Sequence, residues 1–249
     1  MRAKPISQTK EADLSVKSFQ KIIDLFLQTV RMFPNHIFLR IREGGEFRTV
    51  TYEEALDRVR KVGYFLKEKG FRPGERAAVV GENCPEWIIS YLGIQWVGGT
   101  GVPLDSRATP TEWIHLMRHS ECRFVFCAPA FYQDIDEVKD TLPTLQEIVS
   151  FKRSESDWDL PLIFQTMQGL PEPAHRLRED VAVLLYTSGT TGSSKGVMLT
   201  HGNLLANIEQ VVNVLEIKEN DRFFSVLPIH HSFESTCGLL LPMTEGASK

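Results

Sequence analysis

The stretch Tyr186-Thr-Ser-Gly-Thr-Thr-Gly-Ser-Ser-Lys195-Gly196 collects the groups needed to grip a chain of phosphates. Gly189, Gly192 and Gly196 let the backbone bend and bring its N–H groups close to an anion. Thr187, Ser188, Thr190, Thr191, Ser193 and Ser194 offer hydroxyl donors to phosphate oxygens. Lys195 adds a compact positive charge on a long stem. The apolar run Val181-Ala-Val-Leu-Leu-Tyr186 just before it reads as a buried strand that anchors one end of the loop. A Walker A loop requires Gly-Lys followed by Ser or Thr and then a helix. Here Ser194 precedes the lysine, Gly196 follows it, and Val197-Met-Leu199 reads as a second strand, so the pattern is strand–loop–strand. The competing bland reading is a solvated Ser/Thr/Gly turn.

Tyr-Thr-Ser-Gly-Thr-Thr-Gly-x-x-Lys-Gly resembles the phosphate loop of the adenylate-forming superfamily, which includes acyl-CoA synthetases, luciferases and peptide-synthetase adenylation domains. The family usually carries Pro before the lysine where this sequence has Ser194. Further segments resemble the family in the same order. Thr51-Tyr-Glu-Glu-Ala-Leu56 is similar to a motif opening a surface helix. Trp96-Val-Gly-Gly-Thr-Gly-Val-Pro-Leu-Asp105 is similar to a glycine-rich stretch ending in Pro-x-Asp. Both are read as serving the fold. Leu227-Pro-Ile-His-His-Ser-Phe-Glu234 resembles the segment beside the carboxylate and acyl channel of fatty acyl-CoA synthetases.

The resemblance implies that Thr187, Ser188, Gly189, Thr190, Thr191, Gly192 and Lys195 bind the nucleotide, with Thr187, or else Thr190, joining the shell of a magnesium ion. It implies that His231, with Ser232 and Phe233, lines the acyl pocket. The implied substrates are ATP, CoA and a carboxylic acid, favoured to be a fatty acid, with Mg2+ as cofactor. An aryl or amino acid remains open. The reaction has two halves: the carboxylate attacks the α-phosphorus to give an acyl-adenylate and pyrophosphate, and the CoA thiol then displaces AMP. Three family features are not found: a Tyr-Gly-x-Thr-Glu motif, a Thr-Gly-Asp motif, and the small C-terminal domain with its catalytic lysine. The chain is therefore expected to be an N-terminal portion, inactive alone. Two other classes stay in view, a nucleotide-binding module without catalysis and an interaction protein that keeps only the fold.

Other polar constellations are weaker. His230-His231 lacks a third metal ligand, and adjacent side chains in extended backbone would point apart. His115-x-x-x-His119 lacks the Glu of a zincin helix and reads as an exposed face. Cys122 and Cys127 read as small core residues. Glu234 could ligate magnesium, but a solvated or salt-bridged carboxylate is the simpler reading.

The elements that must position these groups follow from periodicity. Phe19, Ile22, Ile23, Phe26, Leu27 and Val30 recur at helical spacing, and Phe33-Pro34-Asn35 stops that helix. Ile37–Ile41 predicts a strand turning at Gly44-Gly45. Thr51-x-x-Glu54 is a capping box, opening a helix with the stripe Ala55, Leu56, Val59, Val62, Leu66 and an end at Gly70. Thr109-x-x-Glu112 is a second box, opening a helix to about Ser120. Pro85 starts a largely apolar helix. Residues 76–80, 102–105, 123–128 and 147–151 predict strands. Thr200 caps a helix with the face Leu204, Leu205, Ile208, Val211, Leu215. Strands alternating with helices predict an α/β fold, the first part of the adenylate-forming synthetase large domain, with mostly parallel sheets flanked by helices. The expected organisation is a frayed tail over 1–15, a first α/β lobe over 16–178, and the start of a second lobe over 179–249. Residues 152–178, polar and Pro-rich, are read as a surface connection between the lobes.

Bulk composition fits an ordinary globular chain: of 249 residues, 42% are hydrophobic and 24% charged, and the formal net charge is −4. The mild acidity gives no bulk attraction to nucleic acid. The sequence contains no membrane-spanning apolar run. Peripheral membrane association could follow from a fatty substrate. Four cysteines without a C-x-x-C pair fit reduced thiols in the cytoplasm. Oligomeric state is left open.

Overall fold

The computed structural model describes residues 16–187 and 194–249. The tail expected over 1–15 lies outside the described residues, as do Ser188, Gly189, Thr190, Thr191 and Gly192. After a short 3-10 turn, α1 (Ile22–Met32) buries Ile22, Ile23, Phe26 and Val30. β1 (Ile37–Glu43) and β2 (Glu46–Thr51) form an antiparallel hairpin. It turns at Gly44 and Gly45, both at positive φ where a Cβ would strain the backbone. The capping box then closes in both directions. Glu54 N–H donates to Thr51 Oγ1 at 3.2 Å and Thr51 N–H donates to Glu54 Oε2 at 2.8 Å, which starts α2 (Tyr52–Glu68).

Alternating units follow: β3 (Arg76–Val80), α3 (Pro85–Trp96), β4 (Thr100–Leu104), α4 (Pro110–His119), β5 (Phe124–Cys127), α5 (Pro129–Asp136), β6 (Glu147–Ser150), β7 (Trp158–Asp159) and α6 (Leu160–Thr166). β8 (Val181–Thr187), β9 (Lys195–Thr200), α7 (His201–Val212), a π-helical stretch Glu234–Leu240 and α8 (Leu241–Thr244) complete the described elements. Seven strands make one sheet in the order β7-β6-β5-β3-β4-β8-β9. Every pairing is parallel except β8 with β9.

The period-2 alternation of the strands feeds two cores. Ala77, Val79, Phe124, Phe126 and Val149 face α1, α2 and α3. Ala78, Val80, Val125, Cys127 and Ile148 face α4 and α5. Helices on both faces of a mostly parallel sheet are the architecture the alternation predicts.

The sequence of connections locates a crevice. β3 leads through α3 to its neighbour β4 on one side, whereas β4 leads through α4 to β5 on the other side of β3. α3 belongs to the first core and α4 to the second, so the two connections leave on opposite faces. The gap outside the carboxyl ends of β3 and β4 is the switch point at which open α/β sheets bind ligands.

Several expectations change. The sheet runs across the boundary placed at 178/179, because β8 pairs with β4 at Gly101↔Val183. Residues 152–178 are more than a surface connection: they hold β7 and α6, and Leu160 and Ile163 are fully buried. Trp96 Nε1–H also donates to Pro171 O at 2.8 Å, tying this stretch to α3. The Pro-rich composition concealed a helix because Pro161 sits in the first turn, where no N–H is needed. α7 ends at Val212, leaving Leu215 exposed instead of on its buried face. Cys122 and Cys127 are buried as expected, and all four cysteines are free. Among the described residues no helix is long and apolar enough to cross a membrane.

Candidate functional site

The two strands expected on either side of the Ser/Thr/Gly stretch both form. β8 and β9 pair antiparallel, with Tyr186 opposite Gly196 and Thr187 opposite Lys195 at the mouth. Both mouth residues are exposed, so a hydroxyl and an ammonium stand on the two sides of the loop's base. The far side of Tyr186 is fixed to α4. Its hydroxyl lies 2.7 Å from His119 Nδ1 and donates to Leu116 O at 3.4 Å. Burial raises its pKa, so the phenol stays protonated and can donate. Gly196 makes room for this anchor, since a Cβ there would sit 3.1 Å from Leu184 and 3.5 Å from the Tyr186 ring. His119 is exposed as expected, and its role is to hold β8.

Because β8 runs parallel to β4, Thr187 and its partner Lys195 lie at the carboxyl edge of the sheet. Four residues beyond the pair Gly101↔Val183 lie Asp105 on one strand and Thr187 on the other, level along the sheet. Asp105 is held from three directions. Trp113 Nε1–H donates to its carbonyl at 2.7 Å, Arg107 N–H donates to Oδ1 at 2.9 Å, and Arg107 Nε lies 3.3 Å from Oδ1. Burial would raise its pKa, but the Arg107 bonds and nearby His230 outweigh that and lower it.

The histidine segment docks at the same edge. Asn83, in the loop after β3, donates through Nδ2 to Ser225 Oγ and to Leu227 O, both at 2.7 Å. Its Oδ1 accepts from Ile229 N–H at 2.8 Å. Ile229 is 1% exposed and plugs into the core. The next residue, His230, places Nε2 3.6 Å from Asp105 Oδ2. Burial lowers its pKa and the Asp105 charge opposes the shift, so the neutral imidazole dominates at pH 7.

The expectation that the two histidines point apart does not hold. They lie on a turn, not a strand, and their ring centroids are 4.3 Å apart. His231, Ser232 and Phe233 are exposed. The enclosed member of the pair is His230, which the sequence suggested only as half of a weak metal pair; Asp105 was read as serving the fold, and Asn83 was not singled out. The signal available was position: Asn83 comes three residues after β3 and Asp105 directly after β4, two adjacent parallel strands. Glu234 is 5% exposed and pairs with Lys249 Nζ at 2.7 Å, so its carboxylate is salt-bridged and buried, not solvated. It also accepts from Ser225 Oγ at 2.7 Å. Among the described residues no cluster of three His, Cys, Asp or Glu could hold a metal ion.

Residues 26–248 match the family model described as AMP-binding enzyme. The chain belongs to that family. Long chain acyl-CoA synthetase 2 of Arabidopsis thaliana is 29% identical over 233 residues, covering 84% of this chain and 35% of the relative. The long-chain-fatty-acid–CoA ligase of Bacillus subtilis is 28% identical over 218 residues, covering 76% of this chain and 39% of the relative. The solved anthranilate CoA ligase AuaEII, in complex with anthranoyl-AMP, superposes with a TM-score of 0.84 at 26% identity, covering 92% of this chain and 44% of that one. The chain thus spans well under half the length of these relatives, and the family recognised in the Tyr186–Gly196 string is the family that nearly the whole chain matches.

Proposed function

We propose that this chain is the ATP-gripping part of an enzyme that activates a carboxylic acid, as acyl-adenylate and then acyl-CoA, with a fatty acid as substrate. The observation that carries the reading is the β8–β9 hairpin, which sets Thr187 and Lys195 either side of the loop at the same sheet edge as the Asn83-held histidine turn. Lys195 neutralises charge on the phosphates while the carboxylate oxygen forms a bond to the α-phosphorus and the bond to pyrophosphate breaks. Loop hydroxyls and backbone N–H groups orient the triphosphate in line with the attack. Ser188, Gly189, Thr190, Thr191 and Gly192 keep their proposed part in this from the sequence. The exposed Thr187 hydroxyl would supply one ligand to a magnesium ion. That ion supplies charge neutralisation when bound.

His231, Ser232 and Phe233 are proposed to face the acyl group, beside the neutral His230. The relatives named as long-chain synthetases favour a fatty acid; the anthranoyl-AMP complex makes an aryl acid the second choice. The four free thiols favour the cytoplasm. The chain alone is proposed to bind ATP without turnover. The test is ATP binding by calorimetry to the chain and to Lys195→Ala, with pyrophosphate release assayed on the longest product of the gene using palmitate and anthranilate. Binding lost in the variant, and palmitate-dependent release from the long product, are expected. Binding unchanged in Lys195→Ala would overturn the loop assignment, and release with anthranilate alone would overturn the fatty substrate.

A further inference from the structure

The end of the β8–β9 hairpin is not laddered to β4, and one proline accounts for it. Thr100 N–H donates to Glu75 O, on the β3 side. Alternate residues of a strand turn their backbone groups the same way, so Gly101 and Pro103 turn theirs toward β8. Gly101 pairs with Val183, but Pro103 has no N–H for the next rung. Among the described residues β4 and β8 form no pair beyond Gly101↔Val183. The hairpin therefore runs on past its last rung with β4, carrying Thr187 opposite Lys195 at its tip.

Another element must hold that tip, and α4 does. The Thr109 capping box starts this helix, and Trp113, Leu116 and Met117 bury one face of it, so it is a fixed platform. Its last residue, His119, meets Tyr186 with Nδ1 2.7 Å from the phenol oxygen and the rings T-shaped at 5.6 Å. Leu116 O, the other partner of the phenol, already takes Ser120 N–H at 2.9 Å and the Ser120 hydroxyl at 2.7 Å. The 3.4 Å bond from Tyr186 is the weakest of the three on that carbonyl, so His119 is the main tie. A Cβ at Gly196 would lie 3.5 Å from Tyr186 Cε1 and 3.9 Å from His119 Cε1, so the β9 backbone passes over both rings. Tyr186 is thus held between α4 and β9, next to Thr187 and across from the neighbour of Lys195. His119 is exposed, and water can replace it as a partner. What its bond supplies is position more than stability.

We propose that His119 is a positioning residue for the nucleotide. Through Tyr186 it fixes the hairpin tip, so that the Thr187 hydroxyl and the Lys195 ammonium stay where a triphosphate needs them. The inference rests on the reading that this loop grips ATP. Without His119 the tip swings about the break at Pro103, and affinity falls by the fraction of time the binding geometry is lost.

The experiment measures ATP affinity by calorimetry for the parent chain, His119→Ala, His119→Asn, Tyr186→Phe and the double variant His119→Ala/Tyr186→Phe, with urea midpoints alongside. Each of His119→Ala and Tyr186→Phe is expected to weaken ATP about tenfold, and the double variant no further, because the two groups form one contact. His119→Asn sets an amide where Nδ1 stands and is expected to bring affinity back to within about threefold of the parent. Urea midpoints are expected to stay near that of the parent. Parent affinity in His119→Ala, with ATP binding still lost in Lys195→Ala, would overturn the positioning role and leave the loop assignment standing. Absence of ATP binding by the parent chain would overturn both. Weakening that His119→Asn does not recover, or that follows a fall in the urea midpoint, would reduce the contact to a structural tie and overturn the proposal.

Discussion

Asn83 joins two parts of the chain with one side chain, donating twice and accepting once across the gap between the β3–α3 loop and residues 225–229. Asn83→Ala removes all three bonds at a half-buried site and is expected to lower stability by about 1–3 kcal/mol in urea denaturation. Asn83→Asp keeps the acceptor for Ile229 N–H and loses both donors, so it should fall between the two. His201 makes a different kind of residue-scale prediction. It is 1% exposed at the start of α7, its Nδ1 accepts from Ile22 N–H at 3.5 Å, and its Nε2 has no partner among the described residues. Burial, with Arg176 nearby, lowers its pKa from 6.5 to about 4. The unfolded chain takes up this proton near pH 6.5 while the folded chain refuses it until about pH 4. Stability is therefore full above 6.5, falls through that window, and loses at most about 3 kcal/mol. Denaturation midpoints at pH 7 and pH 5 should differ, and His201→Gln should flatten the difference.

At the scale of elements, α2 and α3 approach through glycine. A Cβ at Gly93 would lie 2.3 Å from Val62 Cγ1, and one at Gly63 would lie 2.7 Å from the Trp96 ring. Gly93→Ala is expected to destabilise the chain by about 1–3 kcal/mol through overpacking. Val62→Ala in the same chain should recover part of that loss; if the double variant is no more stable than Gly93→Ala alone, the contact is not the cause. These glycines also show what could be read in advance. Capping boxes, apolar stripes and glycine turns are written in neighbouring residues, so α2, α4, the β1–β2 hairpin and the β8–β9 pair were legible. The identity of the buried histidine was not. Whether His230 or His231 is enclosed depends on the Ile229 plug and on Asp105, contacts made across more than a hundred residues, and an extended backbone was assumed where the chain turns. α6 escaped for a local reason, its prolines and polar flanks hiding a short apolar helix.

At the scale of the whole molecule, the described surface is unevenly finished. The sheet is covered on both faces, yet Phe224 is 90% and Val226 70% exposed in the segment between α7 and the histidine turn. Alternate residues of an extended segment point to one side, so the two side chains make a common apolar patch. Such patches drive association. Sedimentation velocity is expected to show an average sedimentation coefficient that rises with concentration, and the rise should disappear in Phe224→Ser/Val226→Thr. A coefficient independent of concentration in the parent chain would remove this patch as a sticky surface.

The clamp at Asn83 also fixes an order in time. Its partner Leu227 lies 144 residues further along the chain. At ordinary rates of translation, roughly 7–30 s separate the emergence of the two. The β3–α3 loop must wait through that interval with its amide satisfied by water, while the sheet from β3 to β7 has already been made. Among the described residues of the site the histidine turn is thus the last to emerge from the ribosome, and a pause in synthesis before residue 227 would leave the sheet made and the crevice beside Asn83 open for chaperones to guard.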